Sequence, residues 1–288
     1  MRRKIRGFEI VLISILFGVV LATLYPFIYM IAVSLSSDVH VLKGDVFLWP
    51  KGLNFRMYEI VLRDPHISRA YLNTILYVVV GTTFSLLISS AGAFALSKKE
   101  MFLNRTFTLL IVFTMFFSGG MIPTFLIVKS YGLIDTVWSM ILPTAVSTWN
   151  LIILRTFFSG LPKEVEESGK MDGLTDIGTF FRIVLPLSKA VLATICLFYA
   201  VGIWNNFFSA MLYLRDADLF PLQVVLRNLV LEGQATANGA TSIGGDQLIV
   251  DESLKFATII VSTVPILLIY PFLQKYFTKG TLIGSVKG

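Results

Sequence analysis

The chain has 288 residues, of which 55% are hydrophobic and only 15% charged, and its mean hydropathy is +0.77. A soluble domain of this length could not hide so much apolar surface, so the composition points to an integral membrane protein. The formal charge of +6, from 24 Lys and Arg against 18 Asp and Glu, does not indicate nucleic acid. The longest basic cluster is the short Arg2-Arg3-Lys4, and a basic excess is also what cytoplasmic membrane loops carry.

A spanning helix needs about 20 mainly apolar residues to cross roughly 30 Å of hydrocarbon. Six segments qualify, approximately Phe8 to Val33, Tyr71 to Leu96, Phe107 to Val128, Val137 to Phe157, Val191 to Leu214 and Phe256 to Phe277. The fold class expected is all-α, polytopic, with residues 1–288 forming one transmembrane domain. Arg2, Arg3, Lys4 and Arg6 precede the first segment in the manner of a signal peptide. However, its apolar run is too long for one and no small-residue cleavage pattern follows, so a retained helix is expected.

Between the first two spans, Phe47-Leu-Trp-Pro-Lys-Gly52 reads as a turn leading into a short interfacial helix over residues 54–62, with Trp49 and Tyr58 as membrane-surface anchors. His40 and His66 fall in the same loop without metal-ligand spacing. Gly81, Gly92 and Gly119-Gly120 are candidates for close helix packing or flexibility, and Pro265 and Pro271 for kinks in the last span. The single cysteine, Cys196, lies in an apolar run, which allows neither an internal disulfide nor a cysteine metal cluster. Residues 232–246 are rich in small polar residues and read as a mobile linker, or as a surface for an external partner or passing solute.

With a cytoplasmic N-terminus, the inner segments hold 15 of the 24 basic residues and the outer ones nine, which places both termini and residues 158–190 inside. That inner segment carries the most information. Glu164, Glu167 or Ser168, and Met171 recur at helical spacing and put carboxylates beside a soft apolar side chain. Gly169 inside so short a helix costs about 1 kcal/mol relative to Ala, which is reasonable where another backbone approaches closely. Asp172-Gly173 ends the helix through a left-handed glycine. Thr175 and Asp176 start a second helix with Ile177, Phe180, Phe181 and Val184 on one side, before Pro186 interrupts it. The expected unit is a helix, a sharp turn and a second helix along the inner membrane face.

Within the spans, Trp204, Asn205 and Asn206 fall about 14 residues into the fifth, roughly 20 Å from its inner end at 1.5 Å per residue. Trp149 and Asn150 sit similarly in the fourth. Amides beside an aromatic face suit a sugar, whose hydroxyls need hydrogen bonds and whose ring faces are apolar. The competing reading is that these groups bond to neighbouring helices.

Glu167-Ser-Gly169, three residues, Gly173, nine residues, then Ile183-x-Leu185-Pro186 resembles the cytoplasmic signature Glu-Ala-Ala-x3-Gly-x9-Ile-x-Leu-Pro of the membrane subunits of bacterial binding-protein-dependent ABC importers. Ser168-Gly169 departs from the usual Ala-Ala. Further stretches resemble the carbohydrate branch of that family and cover essentially the whole chain: Trp49-Pro-Lys-Gly52 with Tyr58, Ala93-Phe-Ala-Leu-Ser97, Gly132-Leu-Ile-Asp-Thr136, Trp204-Asn-Asn206, residues 265–270, and the tail from Tyr276-Phe-Thr-Lys-Gly280 to Val286-Lys-Gly288.

The resemblance implies a type I importer permease fold, in the bacterial cell membrane, that carries a sugar by alternating access, an oligosaccharide more than a monosaccharide. It also implies partners: a second permease subunit in a heterodimer, two cytoplasmic ATP-binding subunits, an extracytoplasmic solute-binding protein, and membrane lipid. Residues Glu164, Glu166, Glu167, Ser168, Gly169, Asp172 and Gly173 are expected to couple to the ATPase, with Glu167 in a charged contact and Gly173 making the turn. Asn150, Trp204, Asn205 and Asn206 are the expected pathway residues. No cofactor is expected in this chain, since it carries no Gly-x4-Gly-Lys-Ser/Thr loop to cradle phosphates; ATP and magnesium belong to the partner. The alternatives are a permease for a non-sugar solute, a polytopic enzyme acting on lipid or sugar, and a scaffold or channel. The enzyme is disfavoured because no acid, base and nucleophile recur at one depth.

Overall fold

The computed structural model describes residues 7–239 and 253–268. Among the described residues every regular element is helical. They fall into two units, one formed by residues up to Ser68 with Val225–Pro265, the other by Arg69–Val224 with the residues from Ile266 onward.

In the first unit, α1 (Gly7–Ser34) is about 42 Å long at 1.5 Å per residue, enough to cross a bilayer. Its leucine, isoleucine, valine and phenylalanine side chains are exposed along most of its length, as a helix facing lipid or another chain requires. Only its last turn is covered, where Ala32 and Val33 meet Val46, with Tyr29, Val41 and Phe256 around them. The following loop, with the short α2 (Asp38–Leu42), is folded back on that end. Ser37 N–H donates to the Lys51 carbonyl at 3.0 Å, Lys51 N–H to Ser36 Oγ at 3.0 Å, and Asn54 N–H to the Leu35 carbonyl at 2.9 Å. The expected interfacial helix is α3 (Arg56–Arg63), which buries Met57 and Val61 at i, i+4. Trp49 is exposed as expected of an anchor. Tyr58 instead shares a 2.7 Å hydrogen bond with Ser34 Oγ, because a half-buried phenol needs a partner.

In the second unit the long α4 (Pro65–Ser97) is the axis. Its middle is lined with small residues. A Cβ on Gly81 would lie 2.9 Å from Ile203 Cδ1, so this glycine serves close packing, whereas a Cβ on Gly92 would lie 3.5 Å from Leu151 Cδ1, an ordinary contact that leaves room for it. Ala93, Phe94 and Leu96 form the main core with Leu151, Leu154, Phe158, Phe180, Val184, Ile195 and Tyr199.

Three apolar runs that read as continuous spans are broken. The third divides into α5 (Asn104–Phe116) and α6 (Met121–Ser130), which meet at 115° across Gly119-Gly120, with Gly120 at φ +84°, a conformation open to glycine. The fourth divides into α7 (Val137–Ile141), continued to Thr144 by one tighter turn at Pro143, and α8 (Thr148–Ser159), bent by 55°. The fifth does not run from Val191 to Leu214: α12 (Lys189–Trp204) stops at Asn205 and α13 (Phe208–Tyr213) restarts. Asparagine terminates it by capping, as the next subsection describes.

The segment 232–246, expected to be a linker, is helical over its first half, since α14 spans Leu222–Gly239; the remainder lies outside the described residues. So do Pro271, the end of the sixth span and the tail. The described part of that span is α15 (Ser253–Leu268), which continues through Pro265.

At one end of the second unit, the loop before α7 is clamped to the segment after α13. Asp135 Oδ1 accepts from Arg215 N–H and Asp216 N–H, both at 3.0 Å, and Asp135 N–H donates to the Tyr213 carbonyl at 2.9 Å. Asp135 has φ +64°, which Asp and Asn tolerate better than other side chains. Its carboxyl is held below the ordinary value by those two backbone bonds. A lowered carboxyl pKa stabilises the fold above its unfolded value, and that contribution is lost as pH falls through the folded value. Asp135→Ala is therefore expected to lower the thermal midpoint of the purified protein at neutral pH and flatten its acid dependence. Asp135→Asn, which keeps an accepting oxygen, should retain most of the neutral-pH midpoint.

Candidate docking hairpin and translocation cavity

The hairpin forms as its sequence dictates. Helix α9 (Lys163–Met171) ends at Asp172, and Gly173 follows at φ +79°. Gly173 N–H donates to the Lys170 carbonyl at 3.0 Å and Leu174 N–H to the Gly169 carbonyl at 2.9 Å, the paired bonds of a Schellman stop. Thr175 Oγ1 then caps α10 (Asp176–Thr179) by accepting from Gly178 N–H at 3.2 Å. A single wide turn, with i to i+5 bonding, covers Phe180–Val184 and leads into α11 (Leu185–Leu187). At Ser188 the chain turns by 86° into α12.

Glu164, Glu167, Ser168, Asp172 and Gly173 are all exposed, and Met171 beside them is 89% exposed. They form one uncovered face with carboxylates around a flexible apolar tip. Gly169 is buried on the opposite side, where a Cβ would lie 2.6 Å from Ile183 Cδ1 and 3.5 Å from Leu174 Cδ1. The close approach that the glycine allows is thus made by the hairpin's own second arm, not by a foreign backbone. Glu166 also leaves the exposed face: it is only partly exposed and ion-paired with Lys98. Gly173 has nothing within 4 Å of a would-be Cβ, so its constraint is conformational alone.

The other expected site is divided. Asn150 and Asn206 line one open cavity of about 520 Å³ together with Trp149, Phe198, Tyr199 and Gly202, with Thr144, Ser147 and Ile203 completing the wall. The volume is within the range of small-molecule sites. Among the described residues, no carboxylate, amine or imidazole lines it; hydroxyls, amides and aromatic faces do. Trp204 and Asn205 do not line it. Trp204 is 7% exposed, stands edge-on to Tyr71 with centroids 6.3 Å apart, and leaves its Nε1 without a partner. Asn205 Nδ2 donates to the Val201 carbonyl at 2.9 Å, and Asn206 Oδ1 accepts from Ser209 N–H at 3.1 Å. The Asn206 amide satisfies a backbone N–H freed by the helix break, whereas the Asn205 amide adds a second bond to a carbonyl that already accepts from Asn205 N–H at 3.1 Å.

Tyr199 went unselected in the sequence. It is 5% exposed, shares a 2.6 Å hydrogen bond with Ser89 Oγ and accepts from Ser147 N–H at 3.0 Å. It therefore ties α12 to α4 and to the start of α8 at the cavity wall. The available signal was a phenol within an apolar run, which must find a partner there.

Residues 85–283 match the family model for the binding-protein-dependent transport system inner membrane component. The chain belongs to this family. It is 45% identical over 283 residues to protein LplC of Bacillus subtilis (strain 168), covering 98% of this chain and 96% of that one. It is 42% identical over 285 residues to the polygalacturonan/rhamnogalacturonan transport system permease protein YtcP of the same organism, covering 99% and 100%. A crystal structure of a bacterial ABC transporter involved in the import of the acidic polysaccharide alginate contains a chain 36% identical to this one, with a TM-score of 0.85, over 96% of this chain and 99% of that one. This family member is thus a membrane-embedded transport component with an ABC permease fold, as its apolar helices require.

For this permease, a pathway role and a structural role of the cavity wall are separable by mutation. Asn150→Ala is expected to reduce transport by about tenfold, equivalent to about 1.4 kcal/mol, with membrane abundance unchanged. Tyr199→Phe strands Ser147 N–H and is expected to lower stability in detergent by about 1 kcal/mol, read as a reduced unfolding midpoint.

Proposed function

We propose that this chain is the permease subunit of an ATP-driven importer for an oligosaccharide, providing half of a pathway that opens alternately to the two sides of the membrane. The observation that carries this reading is the hairpin: a Schellman-stopped helix with Glu164, Glu167, Asp172 and Met171 uncovered, in a chain of the binding-protein-dependent family. An acidic rim around a flexible apolar tip fits a cleft on a second protein. In this reading, that protein is a cytoplasmic ATP-hydrolysing subunit, present twice, which binds ATP and magnesium. Both termini and the 158–190 segment then lie in the cytoplasm, in line with the basic-residue distribution.

A second permease subunit completes the pathway, since the cavity is open on one side and Trp149 in its wall is 63% exposed. A solute-binding protein delivers cargo from outside. Substrate class rests on the cavity's chemistry and on its relatives. Amides and hydroxyls beside Trp149, Phe198 and Tyr199 match a sugar's polar edge and apolar faces. The relatives named for polygalacturonan, rhamnogalacturonan and alginate transport favour fragments of uronic-acid polymers.

Glu167→Lys reverses the charge at the docking face, and Gly173→Val forces a branched side chain into positive φ, at a cost of about 1–2 kcal/mol or more. Both are expected to reduce uptake of an oligogalacturonide at least about tenfold while leaving the chain inserted at normal abundance. Normal uptake by both variants would remove the hairpin as the docking element. Uptake of a neutral oligosaccharide in place of oligogalacturonide by the unaltered complex would remove the uronate assignment alone.

A further inference from the structure

Among the described residues of this unit, Glu166 and Lys98 form the ion pair most shielded from solvent, with side chains 22% and 28% exposed. Lys98 is the first residue beyond α4, and its ammonium also lies 4.4 Å from the centroid of the Phe94 ring, one turn earlier. Phe94 in turn packs against Phe180 of the second arm, with ring centroids 5.2 Å apart. One turn of α4 is thus gripped by both arms of the hairpin, through charge on the α9 side and through an aromatic contact on the other. The same turn is tied inward: Arg155 Nε donates to the Leu96 carbonyl at 3.0 Å, and Asn104 Nδ2 to the Leu96 and Lys98 carbonyls, each at 2.9 Å. Further along α4, Ser89 meets Tyr199 at the cavity wall.

Resting on the docking reading above, we propose that Lys98 is a positioning residue for transport. By holding Glu166 and the Phe94 ring together, it locks the hairpin to α4, so that displacement of α9 moves α4 and the Ser89–Tyr199 contact instead of being absorbed by bending of the loop. Packed helices with discrete contacts transmit displacement in this way. A pair shielded from solvent is screened less than an exposed one, such as Lys170–Asp176, whose side chains are 57% and 72% exposed.

The test uses the complete complex with Cys196 replaced by Ala and a reporter at Thr144→Cys on the cavity wall. It measures ATP hydrolysis and the change in thiol-labelling rate at residue 144 when ATP is supplied. Lys98→Met is expected to keep hydrolysing ATP but to lose the ATP-dependent labelling change by about tenfold, within the range for coupling residues. Lys98→Arg, which keeps a cation for both Glu166 and the Phe94 ring, should retain it. If Lys98→Met does not assemble, Glu166→Gln is read by the same two measurements. An unchanged labelling response in Lys98→Met, or a response lost equally in Lys98→Arg, overturns the proposal. A cysteine at Glu167 that cross-links to no ATP-hydrolysing subunit in the otherwise unaltered complex defeats the docking reading itself; a cross-link there with undiminished coupling in Lys98→Met defeats only the role of Lys98.

Discussion

A backbone N–H or C=O without a partner in hydrocarbon costs several kcal/mol, yet three apolar runs of this chain break inside what reads as a single span. Several polar residues in those runs follow from that constraint. Ser147 Oγ accepts from Asn150 N–H at the start of α8, Tyr199 takes Ser147 N–H, and Asn206 takes Ser209 N–H after the break that follows α12. The cavity lies where two of these breaks meet, because a broken helix supplies both space and polar groups already held in place. In the proposed reading, the groups that repair the breaks, Asn206 and Tyr199 among them, are also those that face the cargo.

The hairpin shows the complementary case, in which local rules suffice. Its stop at Gly173, its cap at Thr175 and the spacing of its acidic face are all consequences of neighbouring residues, and each was legible in the sequence. What lay beyond the sequence was the direction each side chain takes once the arms fold together. Gly169 accommodates Ile183 from the same hairpin, and Glu166 turns toward Lys98, 68 residues away. Helical spacing alone does not tell an inward carboxylate from an outward one when both flank the same face.

The span breaks were illegible for another reason. Hydropathy counts apolar residues and is indifferent to bends, so Phe107 to Val128 and Val191 to Leu214 read as uninterrupted crossings. Local signals were present in Gly119-Gly120, in Pro143 and in the paired asparagines, but glycine and asparagine also serve helix packing in membranes. Only the assembled neighbours decide between the uses. Gly81 does pack closely against Ile203, whereas Gly120 turns the chain.

Together these features describe a permease with a hairpin seated on one end of α4 and a cavity walled by residues of α8 and α12 beside the helix breaks. The central claim is that the uncovered face of α9 meets an ATP-hydrolysing subunit in the cytoplasm. Its most direct test is a cysteine at Met171, the tip of that face, in a Cys196→Ala background, treated with a membrane-impermeant thiol reagent in vesicles of each orientation. The account predicts labelling from the cytoplasmic side only, and protection when the ATP-hydrolysing subunits are bound. Labelling from the outer side, or equal labelling with and without those subunits, would contradict it.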